Sequence, residues 1–282
     1  MMVVESAAEL AAARGPNPVA VVMTMGALHD GHAELMRSAR REVGRDGSVI
    51  ATIFVNPTQF GAGEDFERYP RTLDEDLILC EHAGVDVVLT PDVVEVYGDA
   101  GELSDDAVTV APGPLGDILE GASRHGHFRG VLTVVHKLLG MTAPDVALFG
   151  EKDFQQLVLI SRMVHDLNIG VRVVGVPTIR EPDGLARSSR NRYLSADERL
   201  VARTIPHALE TVAASLTTGV EAALAAGREV VAATAGIALD YLEITDPDLG
   251  PAPDSGPARV LIAARVGTTR LIDNVACRAG PA

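Results

Sequence analysis

"VAVVMTMGALHDGHAELM", residues 19–36, joins an unbroken apolar run to a helix-like pattern through a turn holding two glycines and two histidines. The run is too uniformly apolar for a half-exposed strand and reads as one covered on both faces. Gly26 permits close backbone approach, and Gly31 a sharp entry into the helix that starts near His32. The helix's first amides and positive dipole end then face the turn, an arrangement that suits an anion.

Four more apolar runs follow: "SVIATIFV" (48–55), "VDVVLT" (85–90), "DVALFG" (145–150) and "VRVVGV" (171–176). Helix-period segments alternate with them at roughly 32–43, 73–83, 129–140 and 153–168. Repeated strand–helix order predicts an α/β fold: a doubly wound parallel sheet with helices on both faces. After "VPTIREPDGLARSSRNRYLS" the character changes to Ala-rich helices (196–216 and 219–235) and strand-like stretches (240–245 and 258–276). The "GTT" inside the last stretch marks a hairpin. The expected division is a larger domain at 1–178 and a smaller α+β domain at 179–282.

The 282-residue chain is 47% apolar with a mean hydropathy of +0.17, enough for a full core built of Val, Leu, Ala and Ile, since there is no Trp. A net charge of −15 argues against a general nucleic-acid or membrane-surface binder, so any anion site is a local concentration of positive groups. Cys80 and Cys277 lack metal or redox spacing and read as small buried residues in a reducing compartment. An acid, Glu5, stands where a signal peptide carries positive charge, and no transmembrane run occurs, so a cytoplasmic protein is expected. Among 24 basic Lys and Arg residues only Lys137 and Lys152 are lysine.

In open α/β sheets ligands bind beyond the carboxyl ends of the strands. Those ends here carry "TMGALHDGH", "NPTQF", "GEKDFQQ" and "PTIREPDGLARSSRN". His29 and His32 in the first can donate to phosphate oxygens as charge builds on phosphorus. A zinc site competes, but it needs further ligands, and "SRHGH" (His125, His127) is the only other source; two structural histidines are the third reading. Neither GxxxxGK[ST] nor a post-strand GxGxxG is present, so a bound nucleotide would rely on the histidine turn, Lys152 and "RSSR" (187–190). Gln59 and Gln156, neutral donor–acceptors at two strand ends, suit a hydroxy acid.

Together, "TMGALHDGH", "IFVNPTQFGAGEDFERYPRT", "FGEKDFQQL" and "GLARSSRNRYL" resemble the pantothenate synthetase (pantoate–β-alanine ligase) family over about residues 19 to 276. The histidine turn alone would indicate only the wider HxGH nucleotidylyltransferase superfamily with its Rossmann-like domain. The resemblance implies ATP-dependent condensation of pantoate with β-alanine through a pantoyl adenylate, releasing AMP and pyrophosphate.

It also implies roles, position by position. The ATP turn is Met25, Gly26, Ala27, Leu28, His29, Asp30, Gly31 and His32, with His32 matching the proton donor and His29 its phosphate-contacting neighbour. Gly150, Glu151, Lys152 and Asp153 match a second ATP segment, Lys152 meeting phosphates and Asp153 ribose. Ile179 matches an adenine contact made by backbone, and Arg187, Ser188, Ser189 and Arg190 a third segment that closes over the phosphates as a lid. Gln59, Gln156 and Asn56 match the substrate pocket, Gln59 also meeting β-alanine. Asp76, with Glu75 beside it, falls where the family holds Mg2+, and "GAGEDFERYPRT" matches a mobile gate. A homodimer is implied as well, with no nucleic-acid or membrane partner.

Two positions depart from the family pattern: Met23 stands where Pro is usual, and Arg187 where an apolar residue is. Competing readings are another HxGH nucleotidylyltransferase acting on a different acid or alcohol, and a non-catalytic nucleotide-binding paralogue.

Overall fold

The structure, a computed structural model, describes residues 1–15, 17–61, 63–98 and 107–280. It divides into two compact units: residues 1–151 with 156–177, and residues 152–155 with 178–282.

In the first unit the strands are β1 (Met2–Val4), β2 (Val19–Thr24), β3 (Ser48–Ile53), β4 (Val87–Leu89), β5 (Val146–Gly150) and β6 (Arg172–Val176). The helices are α1 (Ala7–Ala13), α2 (Asp30–Val43), α3 (Leu73–His82), α4 (Val93–Tyr97), α5 (Glu120–Ser123), α6 (His127–Thr142) and α7 (Phe154–Asp166), the last beginning within residues 152–155. Among the described residues the six strands form one parallel sheet in the order β1-β4-β3-β2-β5-β6. The order reverses between β2 and β5, and such a switch point opens a crevice at the strands' carboxyl ends.

Alternation along each strand feeds two cores. Val19, Val21, Ile50, Leu89, Ala147 and Phe149 pack with Leu132 and Leu139 of α6 and Leu159 and Ile160 of α7. Their neighbours Ala20, Val22, Val49, Ala51, Val88 and Leu148 pack on the other face with Ala33, Met36 and Ala39 of α2 and Cys80 of α3. Both faces are dry, which is why the strands are continuously apolar. Met23 keeps this pattern going: it packs against the first core and pairs with Thr52 of β3, a ladder position where Pro would lack the N–H.

The sequence reading lacked β1 and α1. β1 is three residues long with two exposed, too short to show a period, and it pairs with β4 at the sheet edge. The strand expected at 48–55 ends at Ile53, because Asn56 then caps a short 3-10 turn at Pro57–Gln59.

The second unit holds α8 (Ala196–Ala202), α9 (Thr204–Ser215), α10 (Val220–Ala232), β7 (Ile237–Thr245), β8 (Gly256–Val266) and β9 (Thr269–Ala279). The three strands form an antiparallel sheet in sequence order, and β8 turns into β9 through Gly267, at φ +55°, and Thr268. The single helix expected at 196–216 is two: Pro206 cannot donate to the Ala202 carbonyl, so the chain restarts at Thr204. Its core unites Ile205, Leu209 and Val212 of α9, Leu224 and Val231 of α10 and Val260 and Ile262 of β8.

Gly227 lets α10 approach α9, since a Cβ there would lie 2.3 Å from Val212 Cγ2 and 2.8 Å from Leu242 Cδ2. Gly227→Ala is expected to lower stability by about 1–3 kcal/mol despite alanine's better helix propensity. Urea unfolding checks this, and an unchanged or raised midpoint would contradict the close packing.

Candidate active site

The chain leaves β2 through two successive left-handed residues, Gly26 at φ +78° and Ala27 at φ +49°. The second costs an L-residue about 1–2 kcal/mol. What holds it is a buried carboxylate from α3: Asp76 accepts the amides of Ala27 (2.9 Å, Oδ2) and Leu28 (2.7 Å, Oδ1), and the Thr72 hydroxyl (3.2 Å, Oδ1). A Cβ at Gly26 would meet Asp76 Oδ2 at 3.0 Å and Ile53 Cγ2 at 3.2 Å, so glycine is required for space as well as for φ. Burial pushes the Asp76 pKa up, and the bonds from Leu28, Ala27 and Thr72 oppose that push.

Asp76, where the resemblance puts magnesium, is thus turned toward the backbone of the glycine–histidine turn. Its side chain is 2% exposed and its oxygens are committed to the turn, while Glu75 is exposed beside it. Among the described residues no group of three or more His, Cys, Asp and Glu has the arrangement of a metal site. Magnesium commonly takes only one or two carboxylates, with substrate phosphates and water completing its shell.

The turn delivers His29 as the N-cap of α2. His29 Nδ1 accepts the Gly31 amide (3.2 Å), and His32 Nδ1 accepts the His29 amide (3.3 Å), a reciprocal capping box made of two imidazoles. Each ring's proton is thereby assigned to Nε2, and the rings lie 4.1 Å apart between centroids. The geometry suits paired N–H donors better than a chelate, because both Nδ1 atoms are already acceptors.

After β3, Asn56 is 1% exposed and its amide is fixed from both ends. Oδ1 accepts the Tyr97 hydroxyl (2.7 Å) and the Thr58 hydroxyl (3.0 Å), so Nδ2 donates to Gln59 Oε1 (3.1 Å). That orients the Gln59 amide with its NH2 toward Met25 Sδ, 3.0 Å away. Gly130 of α6 lets this turn pack closely, for a Cβ there would lie 2.3 Å from the Thr58 carbonyl oxygen. Gln156 sits half-buried on α7.

His127 proves to be a support rather than a zinc ligand. Its Nδ1 donates to the Gln59 carbonyl (2.8 Å) and its Nε2 faces Arg124 Nη1 (2.9 Å). Arg124 in turn makes a two-pronged pair with Glu64 (2.7 and 2.6 Å) in the loop expected to be a gate, of which Ala62 lies outside the described residues. His125 is exposed.

In the second unit, Ile179 and Arg187 are brought side by side: the Arg187 amide donates to the Ile179 carbonyl (2.8 Å) across a short hairpin turned at Gly184. Ser188 then caps the next turn, its Oγ accepting the Arg190 amide (3.2 Å). The Arg187 guanidinium lies 3.5 Å from Glu181, which also takes Asn191 Nδ2 (2.7 Å) and Arg199. Burial raises the Glu181 pKa, but the Asn191 and Arg199 bonds outweigh it and hold the carboxyl low. The charge that departs from the family pattern thus has a local counter-ion. Lys152 Nζ is 3.3 Å from Asp153 Oδ1, and the Lys152 carbonyl accepts Asn274 Nδ2 (2.9 Å).

Sequence reasoning missed Tyr97, Arg124, Glu181 and Asn274 as supports. Only the Asp273–Asn274 pair left a signal, as two buried polar residues interrupting an apolar strand.

The sequence profile of the Pantoate-beta-alanine ligase family matches residues 2–276. A pantothenate synthetase of Salinispora arenicola is 56% identical, covering 99% of this chain and 98% of its own. The crystal structure of a pantothenate synthetase from Thermus thermophilus superposes with a TM-score of 0.91 at 46% identity, over 98% of this chain and 99% of that one. A pantoate-β-alanine ligase from Francisella tularensis, solved with β,γ ATP and β-alanine, gives 0.80 at 33% identity, over 98% and 97%.

Burial, with Arg124 beside it, pushes the His127 pKa down to about 4, against a free value near 6.5. The unfolded chain therefore takes up this proton first on acidification, so stability is present at neutral pH and lost as pH falls from about 6.5 to about 4. The loss amounts to up to about 3 kcal/mol. His127→Asn, which keeps a donor to Gln59, should flatten that limb in urea titrations, whereas parallel pH profiles for the two proteins would reject the assignment.

Proposed function

The chain belongs to the pantoate–β-alanine ligase family, and from that premise we propose how its residues divide the reaction it catalyses, the ATP-dependent joining of pantoate to β-alanine. In the first half, the pantoate carboxylate attacks the α-phosphorus of ATP and pyrophosphate leaves, giving a pantoyl adenylate. In the second, the β-alanine amine attacks the acyl carbon, AMP leaves with the C–O bonding pair, and the amine sheds a proton.

A carboxylate is already ionised at neutral pH, so the first half needs alignment and charge stabilisation rather than a general base. The observation that carries this assignment is the histidine capping box: it orients His29 and His32 as Nε2–H donors at the positive end of α2, a ready site for phosphate. The second unit supplies the ammonium of Lys152 and, from residues 187–190, two hydroxyls and the Arg190 guanidinium, in keeping with a lid role for that domain. Asp153 serves the ribose. The adenine contact at Ile179 is made by its backbone, whose carbonyl also takes the Arg187 amide.

With Oε1 held by Asn56, Gln59 offers its NH2 as the donor, and the substrate groups it can meet, carboxylate and hydroxyl oxygens, are acceptors. Gln156 completes the pantoate pocket in this reading, while Asn56, expected there too, stands behind Gln59 and holds its amide. The Francisella relative's β-alanine ligand supports a second acid in the same enzyme. Pantoyl adenylate is a labile mixed anhydride, so the loop after Gln59, tied to the end of α5 through Glu64 and Arg124, has water to exclude. The magnesium ion that the resemblance implies is assigned no protein ligand. A cytoplasmic homodimer is part of the same proposal: two unpaired cysteines, Cys80 with its thiol pushed by burial up to about 12, fit a reducing compartment.

Mixing ATP, magnesium, pantoate and β-alanine should yield AMP that depends on both acids, and AMP formation indifferent to pantoate would exclude the activity. His32→Ala and Lys152→Ala are expected to slow pantoate-dependent ATP–pyrophosphate exchange by about two or more orders of magnitude. Near-normal exchange in either would remove that residue from the phosphate site. Gln156→Ala should raise the pantoate KM far more than the ATP KM, and equal rises would count against a pantoate contact.

A further inference from the structure

Residues 152–155 fall between two stretches of the first unit in sequence, yet their contacts place them with the second. The reason is a set of bonds from the antiparallel sheet. Asn274 on β9 is 4% exposed; its Nδ2 donates to the Lys152 carbonyl (2.9 Å) and its Oδ1 accepts Arg259 Nε (2.8 Å) from β8. The two bonds fix which way the amide faces. Arg259, itself 8% exposed, lies with its guanidinium carbon 3.9 Å from the centre of the Phe154 ring. Both Lys152 and Phe154 are therefore pinned, one through an amide and the other through a stacked cation.

The preceding residue serves the other ATP segment of this unit. Asp273 is 3% exposed and takes Arg180 through two bonds (2.7 and 3.0 Å), while Arg180 also donates to the carbonyls of Gly184 (3.0 Å) and Asn274 (3.3 Å). Arg180 opens the hairpin whose return strand carries Arg187, and the Asn274 backbone N–H donates to Asp273 Oδ1 (2.7 Å). Two adjacent buried polar side chains on one strand thus hold the lysine segment and the 179–190 segment to the same short length of backbone.

We infer that Asp273 and Asn274 are positioning residues for adenylate formation, setting where Lys152 and the 187–190 turn stand with respect to each other. The inference rests on the assignment of Lys152 to the phosphates. A lysine has four rotatable side-chain bonds, so its ammonium is placed only as well as its backbone is held, and a shift near 1 Å in a charge-stabilising group costs about a hundredfold in rate. Neither residue touches the reacting atoms in this scheme; each acts through another.

The test is a double-mutant cycle between Asn274→Asp and Lys152→Ala. Asn274→Asp keeps an acceptor for Arg259 but sets a second acceptor against the Lys152 carbonyl. Pantoate-dependent pyrophosphate exchange should fall about ten- to hundredfold with the pantoate KM little changed, while β-alanine attack on added pantoyl adenylate stays within about threefold. In the Lys152→Ala background the same change should add less than about twofold, because the residue acts through the lysine that is gone. A full additional loss in that background, equal losses in both half-reactions, or an unchanged exchange rate would each overturn the inference. Near-normal exchange in Lys152→Ala alone would instead overturn the phosphate assignment beneath it. Should Asn274→Asp fail to fold, Phe154→Leu, which removes only the ring beneath Arg259, enters the same cycle with the same expected non-additivity.

Discussion

The carboxylate of Asp76 is what lets the chain turn twice to the left between β2 and α2. Without an acceptor at that spot, two consecutive amides would be buried unsatisfied and Ala27 would carry its conformational cost unopposed. With it, the turn is tight enough that His29 becomes a helix cap and His32 closes the capping box. The tautomer of both imidazoles then follows from backbone geometry. A buried acid 49 residues along the chain from Ala27 is in this sense upstream of the chemistry.

The same logic recurs around the other binding groups: a side chain assigned to substrate is oriented by a neighbour whose own hydrogen bonds are saturated. Gln59 is oriented by Asn56, and Asn56 by Tyr97 and Thr58. Its backbone is held by His127, which Arg124 flanks. Such networks are costly when partly satisfied and specific when complete. That explains why so much buried polar surface is tolerated in a unit whose sheet faces are otherwise dry; among the described residues only Thr52 Oγ1 is a buried side-chain polar atom without a partner.

The scaffold was legible in sequence because its forces are periodic. Five of the strands show as apolar runs, four of them because both sheet faces are covered, while the edge strand β6 keeps Arg172 and Gly175 exposed; the turn after β2 stands out because two histidines three apart join its glycines. The supports were not legible for the opposite reason. Asp76 looks like one more acid in "TLDEDL", and nothing local says that it is buried while Glu75 is exposed. Its partners lie almost fifty residues upstream, a separation that only the folded sheet closes. The sequence shows an acid there and hides the amides that it accepts. Arg187 misleads in the same way, since its counter-ion Glu181 becomes its neighbour only when the 179–187 hairpin forms.

Charge usage makes the final distinction. The chain is strongly acidic and its basic residues are nearly all arginine. The arginines near the candidate site serve largely as planar forks that frame backbone: Arg124 on the loop after Gln59, Arg180 on the hairpin, Arg199 on Glu181 and Asp183, Arg259 on Phe154 and Asn274. A guanidinium is suited to this because its five donors are fixed relative to one another. An ammonium is a compact point charge on a flexible stem, poor at framing but able to follow a phosphoryl group as its geometry changes. Keeping lysine at position 152 in so arginine-rich a chain is physically sensible if that charge must move a little during the reaction while everything around it does not. The firm hold on the Lys152 carbonyl and the rotatable bonds of its stem are then complementary: the backbone sets the origin of the motion, and the side chain, resting against Asp153, supplies its range.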